Sequence, residues 1–151
     1  MHLATYVGLL HVSEQALADS YRQVATGHAA EADVHHMCRT LAEMCDAHVA
    51  GLAPITERYG EHEDGEPERL HADAMESTRE GGVGLLRDLQ ELYLLVALVE
   101  SSWTVVSQAA QGVRDRELID MATSCSKDID RQRAWLTTRL KVGAPQALIA
   151  S

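Results

Sequence analysis

The sequence predicts an all-α protein, an antiparallel four-helix bundle with a longer connection between the second and third helices. Composition is the first reason: 21 Ala and 18 Leu stand against 4 Ile, with no Phe and only three Pro, a mixture that favours helix and disfavours sandwiches and barrels. The second is periodicity, because apolar residues recur at steps of three and four along four segments. The third is spacing, because the gaps after the first and third segments are short, and short gaps make successive helices neighbours. The 151 residues correspond to one domain, at roughly 100–200 residues per domain. A chain of that length, 46% hydrophobic and 24% charged, can bury a core of its own.

The first helix is expected over residues 3–26. Its stripe is Leu3, Val7, Leu10, Glu14, Leu17, Tyr21 and Val24, and Gly27 is its stop. The second is expected over 30–59, on the stripe Val34, Cys38, Leu41, Cys45, His48, Leu52, Ile55 and Tyr59. Pro54 is expected to kink or interrupt its last turns, and Gly60 to end it. Residues 61–82 form an acidic connection, in which Pro67 could open a short helix that sets Leu70 and Ala74 on the bundle. The third helix is expected over 83–111 and is stopped by Gly112. Its stripe is Leu85, Leu89, Leu92, Val96, Val99, Trp103, Val106 and Ala110. Asp115 is a candidate N-cap for a fourth helix over 115–141. Leu118, Ala122, Cys125, Ile129, Gln132, Leu136 and Leu140 make its stripe, and Gly143 and Pro145 close it.

The formal charge is -10. Residues 57–80 hold nine acids and three Arg, and so carry -6 of it. An acidic surface repels phosphate backbones and anionic membranes, so neither nucleic acid nor a membrane is an expected partner. The longest apolar run, residues 92–99, is far short of the ~20 residues of a membrane span. The first residues show no basic region and no small-residue cleavage site. Cys38 and Cys45 are about 10 Å apart along one helical face, too far to bridge. Reduced thiols and a cytoplasmic location are the expectation.

Two positions break the stripes. Glu14 and His48 are polar where their helices are otherwise apolar, and Glu100 sits in the most hydrophobic stretch of the chain. A buried carboxylate needs a hydrogen bond, a counter-charge or a metal. Pairing the first two helices about their turn puts Glu14 opposite residue 44; pairing the last two puts Glu100 opposite about residue 127. Glu14, Cys45, His48, Glu100, Asp128 and Arg131 therefore fall in one layer. His11, one turn before Glu14 on the same face, is the candidate for a further ligand.

That layer resembles the ferritin-like di-iron carboxylate bundles, which place one Glu on each of two helices and a Glu-x-x-His on each of the other two. Glu14 and Glu100 match the lone acids. Cys45-Asp46-Ala47-His48 and Asp128-Ile129-Asp130-Arg131 match the two four-residue motifs. As architecture the resemblance covers residues 3–141. It implies iron or another divalent metal held by Glu14, His48, Glu100 and Asp128. Cys45 stands where a bridging Glu is expected and Arg131 where the second His is expected. Arg cannot ligate a metal, and a thiolate suits zinc or copper better than an iron pair.

Three arrangements follow. Glu14 and His48 bond each other as a satisfied core pair, with Glu100 on the flank of its helix, on the half-polar stripe Leu86, Tyr93, Ala97, Glu100 and Thr104, reaching water; or Arg131 neutralises Glu100 or Asp128 in a vestigial site; or the layer holds a metal. The expected function is a bundle with an incomplete di-iron site, metal-binding or a non-catalytic scaffold that binds a partner. The alternatives are an iron-dependent oxidase or peroxidase with a modified carboxylate–histidine centre, and an interaction module whose polar layer only fixes helix register. No nucleophile elbow, phosphate loop or dinucleotide fingerprint is present. Gly81-Gly82-Val83-Gly84 follows no strand and reads as a helix start. The third helix carries a second set of apolar residues, including Leu86, Leu94, Leu95 and Leu98. One bundle buries one stripe per helix, so a homodimer through the third and first helices is expected.

Overall fold

The computed structural model describes residues 2–60 and 73–150. Helices make up 86% of the described residues, and no strand occurs among them. There are four: α1 (Leu3–Gly27), α2 (Ala32–Tyr59), α3 (Gly81–Gly112) and α4 (Arg116–Leu148). The predicted stripes are the buried faces. Val7, Leu10, Leu17, Tyr21 and Val24 of α1 meet Val34, Leu41 and Leu52 of α2, Leu89, Leu92, Val96 and Val106 of α3, and Leu118, Ile129 and Leu136 of α4 in one cluster. None of these four helices is long and apolar enough to cross a membrane.

Each helix packs on two others: α1 on α2 and α3, and α4 on α3 and α2. The registers can be followed along the seams. Arg22 meets Asp46, and Glu14 meets His48, across α1 and α2. His28 meets Asp88, and Glu14 meets Trp103, across α1 and α3. Asp33 meets Arg139, His48 meets Asp128, and Tyr59 meets Asp115, across α2 and α4. Glu100 meets Arg133 across α3 and α4.

The ends are set by local chemistry. Gly60, at φ 80°, ends α2, in the left-handed region where glycine has no Cβ penalty. Asp115 caps α4 by accepting from the Leu118 N–H at 3.2 Å. The same carboxylate takes Arg58 at 2.8 Å and the Tyr59 hydroxyl at 2.6 Å, which ties the end of α2 to the start of α4. Burial opposes the charge of Asp115, but Tyr59, Arg58 and the cap prevail and hold its pKa below the usual carboxylate value.

Neither proline stops its helix. α2 runs through Pro54 without interruption, and, against the expected stop at 141, Pro145 lies inside α4, which runs seven residues further. Both prolines are on the exposed side, and so are Ala50 and Lys141, whose carbonyls lose their helical donors. Water satisfies those carbonyls, and the usual penalty of an interior proline is reduced. Beyond Gly143 the helix still has something to cover, because Ala147 is buried against the start of α3.

The expected short helix at Pro67 with Leu70 lies outside the described residues. Residues 73–80 of the same connection form an irregular strap with no helix. Ala74 is half-buried, and Met75 joins the core. The Met75 N–H donates to Ser20 Oγ at 3.0 Å, and that hydroxyl donates to the Ala16 carbonyl at 2.7 Å. Thr78 then crosses Gly27 so closely that a Cβ there would lie 2.0 Å from Thr78 Oγ1.

Candidate functional site

Four helices contribute to one polar layer in the middle of the core. Glu14 is placed by the α1 stripe and has no solvent exposure. His48 of α2 lies beside it, with Nδ1 2.9 Å from Glu14 Oε1. The other ring nitrogen, Nε2, is 2.9 Å from Asp128 Oδ2 on α4. Trp103 of α3 donates its indole N–H to the same Glu14 Oε1 at 2.8 Å, and its ring stands edge-on to His48, 6.4 Å between centroids.

A neutral imidazole has one N–H and can donate to only one of two carboxylates; an imidazolium donates to both. Burial alone would pull the His48 pKa down. The neighbouring Cys125 sulfur and the Glu14 carboxylate, through its hydrogen bond and its charge, overcome burial and push it up to about 11. His48 is therefore a cation at neutral pH. It supplies the counter-charge that Glu14 needs, and Asp128, whose side chain is 28% exposed, shares it.

One turn along lies a neutral network. The Tyr21 hydroxyl donates to Gln132 Oε1 at 2.9 Å, and Gln132 Nε2 approaches Cys45 Sγ at 3.6 Å. Burial raises the Tyr21 hydroxyl well above its ordinary value. Burial first, and the Glu14 charge second, raise the Cys45 thiol. Burial pushes Cys38 up to about 12, with Asp33 adding to it, and burial also raises Cys125. All three cysteines are buried free thiols and stay protonated at neutral pH, which makes them poor nucleophiles and poor ligands.

The structure brings together Glu14, His48 and Asp128, and sets Cys45 beside Gln132. The others in the predicted layer are placed elsewhere. Glu100 turns to α4, where Arg133 donates to Oε1 at 2.9 Å. Arg131 points outward, 71% exposed, with only a 3.5 Å approach to Asp128 Oδ1 one turn away on its own helix. The counter-charge that the sequence offered at Arg131 comes from His48 instead. His11 is half-buried and makes no hydrogen bond among the described residues.

The donor set does not fit a carboxylate-bridged iron pair. Both ring nitrogens of His48 are taken by carboxylates, Glu100 is turned to an arginine, and the thiols are protonated. Among the described residues no group of three or more His, Cys, Asp or Glu side chains is arranged to hold a metal ion. Two carboxylate oxygens, Glu14 Oε2 and Glu100 Oε2, are buried with no hydrogen-bond partner among those residues.

Trp103 and Gln132 are the members of the layer that sequence reasoning missed. Trp103 had every mark of a core filler, since an indole N–H gives no periodic signal. Gln132 did carry one: it is polar within an apolar stripe, as Glu14 and His48 are. A second buried cluster was also missed. Asp88, with no solvent exposure, accepts from His28 at 2.7 Å, from the Arg79 N–H at 2.9 Å and from the Arg79 guanidinium at 2.6 Å. It sits three residues after Leu85 on the inward side of α3, the position that should have marked it.

No protein-family model, curated protein or solved structure matches the chain.

Proposed function

We propose that this chain is a non-catalytic scaffold of ferritin-like arrangement that binds a partner, with the His48 cation in the place where a di-iron bundle holds its metal. The observation that carries this reading is the His48 ring, held at 2.9 Å by a carboxylate on each nitrogen. A group so engaged supplies the counter-charge of buried Glu14, and it has no free lone pair for a metal. The arrangement is supported by the helix registers. Across every packed pair, rising residue numbers on one helix meet falling numbers on the other. That makes α2 and α3 point the same way. Tyr59 meets Asp115 at one end of α4, and Gly82 lies against Ala147 at its other end. The link between α2 and α3 thus has to cover the length of the bundle, as a ferritin-type crossover does.

A second reading, an iron-dependent oxidase or peroxidase, draws on the unpartnered oxygens of Glu14 and Glu100, which leave acceptor capacity for a cation. Metal analysis decides between them. Protein purified from iron-replete cells, then titrated anaerobically with Fe²⁺, should hold no stoichiometric metal. Near-stoichiometric iron that disappears in the Glu14→Leu/His48→Leu variant would overturn the scaffold reading.

A further inference from the structure

We propose that the outer face of the α1/α3 seam binds a second copy of this chain, forming a two-fold dimer. The first ground is where the charges are missing. Residues 3–18 and 92–113 make 38 positions with only two charged residues, Glu14 and Glu100, in a chain that is 24% charged. Glu14 is buried in the core, and Glu100 is turned to Arg133 on the α4 side. The seam is left without formal charge on a protein of net charge -10.

Its shape is the second ground. A groove with a cavity of about 480 Å³ runs between His2, Leu3 and Tyr6 at the start of α1 and Val105, Ala109 and Val113 at the end of α3. A smaller pocket, sharing Tyr6 and Val105, carries it on to Leu9 and Leu98. The surface pockets on the other seams contain Arg22, Arg39, Glu43 and Asp46, or Glu31, Glu80 and Arg139. Compared with those two pockets, this seam combines concavity with a lining free of Asp, Glu, Lys and Arg.

Spacing gives the third. Leu94, Leu98, Ser101, Val105, Gln108 and Gly112 follow steps of four and three outside the core stripe of α3. Tyr6 and Leu9, half-buried, continue the face on α1, with the buried Ser13 one turn on at its floor. Such steps make a seam that a partner helix can follow. Leu94 is 69% exposed and Val105 51% exposed, far more than their chemistry favours.

The occupant follows from charge and size. A second copy carries -10 as well, so two copies repel least where neither presents its acids, and this face meets that condition on both sides at once. The strip from Leu94 to Val113 is about 28 Å long at 1.5 Å per residue. With two helices across, roughly 20 Å, its footprint is about 560 Å² per copy, or ~1,100 Å² over two copies, which clears the ~1,000 Å² floor of a specific interface. Two-fold symmetry needs only one such patch.

The proposal deepens the scaffold reading by naming its partner. Light scattering and sedimentation equilibrium on the full chain should give twice the 16.5 kDa chain mass. Val105→Glu, which the symmetry applies twice, should weaken association by about tenfold or more, with helical circular dichroism unchanged. Val142→Glu, an exposed valine of α4, should leave the dimer intact. Added salt should tighten the wild-type dimer, because it screens repulsion between acidic copies. A wild type that stays at 16.5 kDa at high concentration, a Val105→Glu variant that still dimerises, or a dimer that salt dissolves would each overturn the proposal. Metal content is read on the same sample, so a metal-loaded dimer would sink the scaffold reading alone and a metal-free monomer this inference alone.

Discussion

Replacing His48 by Leu tests the buried layer most directly. The substitution leaves Glu14 at zero exposure with one donor, the Trp103 indole at 2.8 Å, and no cation. Asp128 is partly exposed and can turn to water, so the cost falls on Glu14. Removing one partner of a buried ion pair costs about 3–5 kcal/mol, because it strands the other charge. Chemical denaturation at pH 7 should show a loss of that size. Adding Glu14→Leu should recover most of it, since two apolar residues of similar size replace the pair, and the double-mutant cycle should give a coupling of about 2–3 kcal/mol. The pH dependence has a defined sign. A free histidine titrates near 6.5 and His48 in the folded chain near 11. Its stabilisation is therefore complete below pH 6.5 and is lost as the pH rises through 11. The gap between wild type and His48→Leu should narrow over that alkaline range. A single-variant cost under 1 kcal/mol, or strictly additive costs, would show that His48 carries no charge for Glu14 and would refute the reasoning.

Arg131→Leu should be nearly neutral, about 0.5 kcal/mol or less, because its guanidinium is exposed; a loss of several kcal/mol would put Arg131 inside the layer. Gly27→Ala forces Thr78 and the strap away from α1 and should cost about 1–3 kcal/mol, the usual toll of overpacking. Hydrogen exchange at Met75 should speed up with it, and unchanged protection would show that the strap is not held there. Asp88→Asn removes a buried charge that holds His28 and Arg79 and should cost about 2–4 kcal/mol in the same denaturation assay. Native protein at pH 8 should resist alkylation at all three thiols, which are buried and raised in pKa; rapid modification before unfolding would contradict their placement.

The stripes were legible because a helix face repeats every three or four residues, and a buried position shows itself by its neighbours. Glu14 and His48 stood out by that same rule, as polar residues on apolar faces, and the turn-based heights set them opposite one another. Glu100 was open to two readings, in the layer or on the flank of its helix, and the structure places it on the flank, against Arg133. Its surroundings in sequence are apolar, yet a hydrophobic run on a helix winds through every direction, and Glu100 sits on the flank facing α4. Arg131 was placed by a motif four residues long, but the side chain that neutralises the acids is the histidine already inside. The end of α4 was misjudged because Pro145 is a stop only where its lost hydrogen bond is buried. Nothing local could have disclosed the Asp88 cluster in full, since its partners come from the end of α1 and from a strap whose path depends on the finished bundle.

The two buried clusters together explain how the α1/α3 seam keeps its register. Apolar stripes alone tolerate a slip of one turn, about 5.4 Å, because leucine can replace leucine. Here Glu14 is tied to Trp103 and His28 to Asp88. The tied residues are 14 apart on α1 and 15 apart on α3, about 21 and 22 Å along their axes. Both ties are satisfied in one register, and a slip of a turn breaks both, taking the Trp103 donor from Glu14 and the His28 donor from Asp88, two carboxylates of zero exposure. Each hydrogen bond lost at a buried charge costs about 1.5–3 kcal/mol, more than the repacked leucines could return. The outer side of this same seam is the uncharged groove, so its walls are fixed by chemistry on the inside. A groove with fixed walls loses little entropy on docking. Polar residues that catalyse nothing in this reading thus set the shape of the surface on which a second copy would sit.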